Sequence, residues 1–285
     1  MKGTLDSEGA MNGKVVRAMG IRQRGRSIPG AFFGSAAVFF IFAASVFAGP
    51  PFFTDDPEPI DFRHWEFYIA SAQMKSRLDY SGTAPHFEIN YGIATNAMLH
   101  VIAAAGFDQP RGRKLRYGLG DAEIGLKYRF LEETESRPQI GTFPHIELPA
   151  GASRRGLGSG RVQVFLPIWI QKSRGPWTTY GGGGYWINPG PGNRNYWWFG
   201  WEVQREISKV LTLGAELFTN TRTAVGQAAR TGINLGAIVS LGGASSALVS
   251  VGRDIHGPNS FFIYMAYYLT FGPRESSRPR SLSHL

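Results

Sequence analysis

The segment Asp121-Ala-Glu-Ile-Gly-Leu-Lys-Tyr-Arg-Phe130 decides the fold class of this chain. From Ala122 to Phe130 every second side chain is apolar, and the intervening residues are Glu, Gly, Lys and Arg. Because successive side chains of a β-strand point to opposite faces, the segment has one apolar and one polar face. Soluble β-sandwiches and membrane barrels both alternate in this way. The number, length and spacing of such segments distinguish the two classes.

The same period of two continues through most of the chain after residue 60. It predicts twelve strands, at 62–74, 85–94, 97–108, 120–131, 138–149, 161–171, 176–187, 196–206, 210–220, 231–241, 246–254 and 260–271. Most have about ten to twelve residues, close to the nine to eleven that a tilted membrane strand needs. Strands of soluble proteins most often have about five or six. The lengths therefore favour strands that cross a membrane.

The connections alternate between long loops and tight turns. The long set comprises 75–84, 109–119, 150–160, 188–195, 221–230 and 255–259. The short set comprises 95–96, 173–175, 207–209 and 242–245, with 132–137 as a longer exception. Long loops at one end and short turns at the other are typical of outer-membrane barrels. An even number of strands brings both termini to the short-turn, periplasmic end.

The composition excludes several protein classes. The 285 residues include no cysteine, so there is no disulfide framework and no thiolate metal site. An aromatic share of 13% argues against disorder, and a mean hydropathy of −0.15 argues against a bundle of membrane helices. Alternating strands are compatible with both the aromatic share and the mean hydropathy, because each strand has one apolar and one polar face.

The N-terminal region has the layout of a secretory signal. A basic stretch from Arg17 to Arg26 precedes the uncharged apolar run 31–47, which ends in Val46-Phe47-Ala48. We predict a signal peptide at 1–48, with Met1, Met11 or Met19 as the start. The alternative is a single membrane anchor, for which a run of about 17 residues is short. Since this region is basic, the net charge of +9 partly reflects it and does not predict a nucleic-acid partner.

The predicted organisation is one all-β domain, an antiparallel up-and-down transmembrane β-barrel of about 12 strands in the outer membrane of a Gram-negative bacterium. A periplasmic lead-in at 49–61 precedes the barrel at 62–271, and a polar C-terminal tail follows at 272–285. Closure is expected because lipid cannot satisfy an open strand edge. The last strand, with alternating aromatic residues up to Phe271, resembles those that the barrel-assembly machinery recognises.

Aromatic residues gather near the predicted strand ends, where interfacial girdles form. These are Trp169, Trp177, Tyr185, Trp186, Tyr196, Trp197, Trp198 and Trp201. Because rings at 196–201 occupy both faces, some should also fill the lumen. The run Gly181–Gly184 lies within a strand, where we expect it to permit sharp bending.

Polar residues on the inner face are candidates for lining a pore. They are Glu66, Glu88, Asn90, Asp121, Glu123, Lys127, Arg129, Glu147, Glu202, Glu216 and Asn234. They could form a polar wall that selects solutes, or opposite charges could pair and plug a narrow barrel. Twelve strands give a backbone diameter of roughly 24 Å, and side chains would narrow the path to about 10 Å or less.

The long loops carry a candidate extracellular basic rim. It comprises Arg111, Arg113, Lys114, Arg116, Arg154 and Arg155. Arginine binds phosphate in a bidentate manner, so lipopolysaccharide is the expected partner besides outer-membrane lipid. The alternatives are attraction of anionic solutes and a simply solvated surface.

No catalytic, metal or cofactor site is predicted. His64, His86, His100 and His145 lie in different strands without metal-ligand spacing, and no nucleophile-elbow motif occurs. Asp55, Asp56 and Glu58 could suggest a cation site, but the interleaved prolines favour an extended periplasmic segment.

Two stretches resemble a known family. Residues 118–130, Gly-Leu-Gly-Asp-Ala-Glu-Ile-Gly-Leu-Lys-Tyr-Arg-Phe, resemble the recurring strand motif of the bacterial outer-membrane family named for the MetA pathway of phenol degradation. Residues 49–59, Gly-Pro-Pro-Phe-Phe-Thr-Asp-Asp-Pro-Glu-Pro, followed by His64-Trp-Glu66, resemble the opening of a subset of that family. The resemblance spans 49–271 and implies a transport channel for aromatic or other hydrophobic compounds.

The function expected from the sequence is thus a passive channel for a small-molecule solute that is hydrophobic or aromatic, rather than an enzyme. Two alternatives remain at this point: a lipid-modifying enzyme embedded in a barrel, and a structural barrel without transport.

Overall fold

A computed structural model describes residues 50–273 of the chain. Its single sheet contains twelve strands, which we number β1 to β12. They are β1 Trp65–Lys75, β2 Asp79–Ala94, β3 Ala97–Pro110, β4 Arg116–Leu119 with Ala122–Leu131, β5 Gln139–Thr142 with His145–Leu148, β6 Gln163–Arg174, β7 Trp177–Ile187, β8 Tyr196–Ser208, β9 Leu211–Asn220, β10 Arg230–Gly242, β11 Ser245–His256 and β12 Phe261–Phe271.

The sheet closes into a barrel because its first and last strands pair. β1 runs antiparallel to β12, from Trp65 opposite Phe271 to Lys75 opposite Phe261. Every other strand pairs with its neighbours in sequence, so no strand of the described chain has a free edge. Closure satisfies the backbone polar groups that lipid could not. The predicted all-β, antiparallel up-and-down barrel is confirmed.

Each of the twelve predicted strands overlaps one observed strand, and the largest difference is at β2. It begins at Asp79, where the sequence predicted a loop up to residue 84. β4 is interrupted at residues 120–121 and β5 at 143–144. Pro144 has no N–H to donate, although its carbonyl still accepts a 3.1 Å hydrogen bond from the Leu126 amide.

The alternation of side chains follows the prediction. Ile124, Leu126 and Ile168 point outward and are 48%, 40% and 52% exposed. Glu123 and Lys127, which flank Ile124 and Leu126 in the sequence, are buried inside. None of the residues from 50 to 273 belongs to a helix with the length and apolarity needed to cross a membrane.

The predicted aromatic girdle is only partly correct. Trp177, Trp197 and Trp201 are exposed on the outer face, but the other tryptophans of the set, with Tyr196, are buried in the lumen. The inward residues are Trp169, Trp186, Tyr196 and Trp198. Strand alternation explains the division, because neighbours such as Trp197 and Trp198 must face opposite sides.

The glycine run 181–184, which was expected to permit a bend, also makes room for aromatic rings. A Cβ on Gly181 would meet the Trp201 ring, and one on Gly183 would meet the Phe199 ring. Both rings belong to β8 and lie across the outer face of β7. The glycines therefore allow large outer side chains to pack closely on the barrel wall.

Residues 50–60, which belong to the predicted lead-in, lie inside the barrel. Phe52, Asp56 and Ile60 are buried against the inner wall. The segment carries carboxylates that meet Lys127 of β4, and its Phe53 ring meets lumenal aromatic residues. Charge and apolar complementarity thus hold it inside. We call residues 50–60 the N-terminal segment.

The predictions for the two chain termini concern residues outside the range 50–273. The signal peptide at 1–48, and the tail beyond Pro273, lie outside the described residues. Both stay predictions.

Candidate functional site

The structure places the predicted polar set on the inner side of the barrel wall. All of these residues are buried except Arg129, whose side chain is 13% exposed. Glu66, Glu88 and Asn90 lie on β1 and β2, and the basic pair Lys127 and Arg129 lies on β4. Whether they line an open path stays a prediction, since many bind the N-terminal segment or each other.

A hydrogen-bonded network occupies the lumenal side of β1 to β4. Asn90 Nδ2 donates to Glu66 Oε2 at 3.1 Å and to Glu88 Oε1 at 2.9 Å. His100 Nδ1 lies 2.6 Å from Asn90 Oδ1, and its Nε2 lies 3.3 Å from Glu123 Oε1. These contacts tie four strands together and make this side of the lumen polar and acidic.

Two basic residues of β4 face the carboxylates of the N-terminal segment. Lys127 Nζ lies 2.8 Å from Asp55 Oδ1 and 3.4 Å from Asp56 Oδ2. Arg129 Nη1 lies 3.7 Å from Glu58 Oε1. The sequence analysis left open that opposite charges pair and plug the barrel. Such pairs do form here, but they join Lys127 and Arg129 of the wall to carboxylates of the N-terminal segment.

Glu216 of β9 holds the next part of the segment. Its carboxylate accepts hydrogen bonds from the Phe53 amide at 3.0 Å, from the Thr54 hydroxyl at 2.6 Å and from the Thr54 amide. Asn234 Nδ2 on β10 donates to the same carboxylate at 3.2 Å. A buried acceptor with several donors is well satisfied, so Glu216 fixes the backbone of the segment in mid-lumen.

The first described residues are fixed at the far wall. The Pro51 carbonyl accepts a 2.6 Å hydrogen bond from the Ser250 hydroxyl of β11 and a 3.4 Å bond from Asn234 Nδ2. The Phe52 ring lies where a side chain on Gly214 or Gly236 would be. The segment therefore contacts both sides of the lumen, from β4 to β11.

A cluster of aromatic side chains adjoins the acidic network, because the His100 ring lies 5.0 Å from the Phe143 ring. We call the following eight buried residues the aromatic wall: Phe143, Phe165, Trp169, Trp186, Tyr196, Trp198, Phe218 and Phe262. Phe165 and Trp186 stack with their centroids 4.9 Å apart and their planes at 15°. The wall offers flat apolar faces to anything that passes beside it.

The side chain of Phe53 packs against one end of the aromatic wall. Its centroid lies 4.9 Å from that of Phe218 and 5.0 Å from that of Phe262. The guanidinium carbon of Arg230 lies 5.0 Å and 5.3 Å from the same two wall rings. Arg230 Nε is 2.5 Å from Asp254 Oδ1, which holds the cation in place. We call Phe218, Phe262 and Arg230 the aromatic cage.

Two acidic members of the predicted set have individual surroundings. Asp121 accepts hydrogen bonds from the Gly151 amide at 3.0 Å and the Ser159 amide at 2.6 Å, so it anchors the loop between β5 and β6. Both carboxylate oxygens of Glu202 are buried without a hydrogen-bond partner among the described residues. Asp121 is therefore engaged by the loop, whereas the Glu202 carboxylate accepts no hydrogen bond from the described residues.

The residues of the predicted basic rim lie at the long-loop end of the barrel. Arg116 Nη1 lies 3.3 Å from Asp108 Oδ2 and donates to the Arg155 carbonyl at 3.4 Å, which joins two loops. The remaining members, Arg111, Arg113, Lys114 and Arg154, are exposed. The loops thus present one basic surface.

Sequence reasoning missed the N-terminal segment and the pair of Arg230 with Asp254 as parts of the lumen. A usable signal was present: Asp55, Asp56 and Glu58 are complementary in charge to Lys127 and Arg129, which were both predicted to point inward. In residues 50–273 no three or more acidic or histidine side chains group in a way that could hold a metal ion.

Comparisons with known proteins give matches in structure. No protein-family model matches the chain, and no curated protein matches it. The COG4313 outer membrane channel from Pseudomonas putida F1 superposes with a TM-score of 0.65 at 14% identity, covering 76% of this chain and 98% of that one. The KdgM porin gives 0.51 at 11% identity, covering 72% and 99%.

The translocator domain of the autotransporter NalP from Neisseria meningitidis gives a TM-score of 0.50 at 11% identity, covering 74% of this chain and 89% of that domain. At these identities the likeness is one of fold. This chain shares the barrel architecture of outer-membrane proteins that differ in function.

Proposed function

We propose that the protein is an outer-membrane channel for small hydrophobic or aromatic solutes, constricted by its own N-terminal segment. The aromatic wall is the observation that carries this proposal. Interior positions of a barrel usually hold polar residues when the lumen conducts water and ions. Here eight large rings line one side, and they suit a solute that leaves water for an apolar surface.

The lumen combines this wall with the adjoining acidic network. A path with one apolar and one polar side can accept a ring that bears a hydroxyl or a similar group, since both parts find a partner. The resemblance to the family named for the MetA pathway implies the same class of solute. Two of the structures that share the fold are a channel and a porin by name, which agrees with transport.

The N-terminal segment determines how wide the path is. It crosses the lumen between Lys127 and Ser250 and packs Phe53 on the aromatic wall. A barrel of roughly 24 Å backbone diameter has little free width once side chains and an extra chain segment fill it. We therefore expect low conductance when the segment is in place, and a larger conductance when it moves.

Single-channel recording in planar bilayers tests the proposal. The folded protein should give small, reproducible conductance steps, and a variant that lacks residues 50–58 should give steps several-fold larger. Catechol added to the bath should reduce the current in the shortened variant, whereas xylose at the same concentration should not. Absence of steps from both proteins, each shown to be folded by heat-modifiable gel migration, would contradict a channel.

A lipid-modifying enzyme is the other class that the sequence left open. Thr83 Oγ1 lies 3.3 Å from His86 Nδ1, which is the kind of pair that could activate a hydroxyl. Both side chains are buried within the barrel, away from a lipid substrate at the outer surface. Burial therefore favours a structural hydrogen bond, and transport remains the proposed function.

A further inference from the structure

We infer that the aromatic cage is a binding site for a monocyclic aromatic solute and that Phe53 is a tethered occupant of that site. The inference rests on the proposed function in one respect, namely that such a solute enters the lumen. The cage lies near the long-loop ends of β9, β10 and β12, where a solute arriving through the loops would meet it first.

The contacts of Phe53 show which ligand the cage fits. Its ring meets Phe218 at an interplanar angle of 62° and Phe262 at 68°, both in the edge-to-face arrangement. Centroid distances of about 4.5–7 Å are those that aromatic pairs prefer. Arg230 adds a cation 5.9 Å from the Phe53 centroid. A phenyl group in the cage therefore contacts the rings of Phe218 and Phe262 and the guanidinium group of Arg230.

The cage belongs to the barrel wall and not to its occupant. Phe218 lies against Gly232 and Phe262 against Gly252, where a Cβ would collide with either ring. Both rings are buried; Phe218 stands on β9, which pairs with β10, and Phe262 stands on β12, which pairs with β11. Asp254 of β11 holds Arg230 of β10. The site should therefore persist when Phe53 leaves it.

Phe53 is bound in a way that permits exchange. Its side chain is half-buried, whereas the wall rings are buried, and its chain segment belongs to no strand. The Phe53 amide donates to Glu216, so the backbone can stay in place while the ring rotates away. A tethered group competes with a free ligand at an effective concentration in the millimolar range for a short flexible tether. A solute must exceed that competition to enter the cage.

Phenol and cyclohexanol are matched probes for the cage. They have similar size and the same hydroxyl, but only phenol has the ring that Arg230 and the phenylalanine edges recognise. Equilibrium dialysis of the folded full-length protein in detergent should show weak phenol binding. The Phe53→Ala variant should bind phenol about tenfold more tightly, because the tethered competitor is gone. Cyclohexanol should show no comparable gain.

A second substitution tests the place of binding. Adding Phe262→Ala to the Phe53→Ala variant should abolish the gain in phenol affinity, and Phe262→Leu serves the same purpose if the alanine variant fails the heat-modifiability test. Equal phenol affinity in the wild type and the Phe53→Ala variant would overturn the inference. So would a gain that survives the change at Phe262.

The outcomes for the cage and for the channel are separable. If Phe53→Ala binds phenol tightly but no variant conducts, the channel proposal fails and the binding site stands. If the shortened variant conducts but phenol binds no variant, the cage inference fails and the channel stands.

Discussion

Lys127 and Asp55 form a buried ion pair between the barrel wall and the N-terminal segment, with 2.8 Å between Nζ and Oδ1. The ammonium group also lies 3.4 Å from Asp56 Oδ2 and 5.1 Å from the centre of the Phe143 ring. One side chain thus connects the carboxylates of the segment to the aromatic wall. Because the pair is shielded from water, it is a stronger restraint than a surface ion pair.

Replacing Lys127 by methionine should release the N-terminal segment without opening the barrel. Removing one partner of a buried pair costs about 3–5 kcal/mol, because the other charge is left uncompensated. We expect channel conductance to rise several-fold while heat-modifiable migration persists.

Two variants control this experiment. Lys172→Met removes a lysine that pairs with Glu133 at 3.1 Å in a more exposed position, and it should leave conductance unchanged. Adding Asp55→Asn and Asp56→Asn to Lys127→Met should partly restore the narrow state. An unchanged conductance in Lys127→Met would mean that this ion pair does not hold the segment.

Glu216→Gln should loosen the middle of the segment. The glutamine has the same shape but presents an amide group to the donors of Phe53 and Thr54, so part of the hydrogen bonding is lost. The chain has no cysteine, so Pro57→Cys gives a unique reporter thiol in the lumen. Its reaction with a water-soluble methanethiosulfonate should be about tenfold faster in the Glu216→Gln background, which corresponds to about 1.4 kcal/mol.

Glu202→Gln is the matched control for this measurement. Glu202 lies opposite Glu216 on the neighbouring strand and is also buried, but the segment donates its hydrogen bonds to Glu216. Equal labelling rates in both backgrounds would show that Glu216 does not restrain the segment.

A charge on the outer face should destabilise the folded barrel. Ile168 lies in the middle of β6 and points to lipid, so Ile168→Arg should cost about 2–4 kcal/mol. Leu115→Arg places the same group in an exposed loop and should cost little. Urea titration in lipid vesicles, followed by gel migration of the folded form, compares the two. Similar midpoints for both variants would contradict a lipid-facing Ile168.

The basic rim should bind lipopolysaccharide through its phosphates. Changing Arg111, Arg113, Lys114 and Arg154 together to glutamine should weaken binding to lipid A vesicles about tenfold or more, and the difference should shrink in high salt. The same number of changes at the short-turn end, at Arg137, Arg174, Lys209 and Lys172, should have little effect on binding. Retained affinity in the rim variant would identify the loops as a solvated surface only.

The sequence by itself determined the wall of the barrel. Alternation in segments such as 121–130 fixes which side chains face lipid and which face inward, because the strand period is two and a slip of one residue would reverse every side chain. The lengths of the strands and the alternation of long and short connections then gave the number of strands and their order. Closure between β1 and β12 followed because the backbone N–H and C=O groups at both sheet edges need hydrogen-bond partners that lipid cannot supply.

The tertiary structure decided what fills the lumen inside this wall. No periodicity marks residues 50–60, and proline-rich acidic sequence is equally compatible with an extended chain in water. Only the closed barrel brings Lys127, Glu216 and Ser250, from three distant strands, around the same segment. The aromatic cage arises in the same way, since Phe53, Phe218 and Phe262 are neighbours only in space. The alternation along a strand determines whether a side chain faces the lipid or the lumen. A lumenal site depends in addition on which inward-facing residues of different strands lie at the same level along the barrel axis.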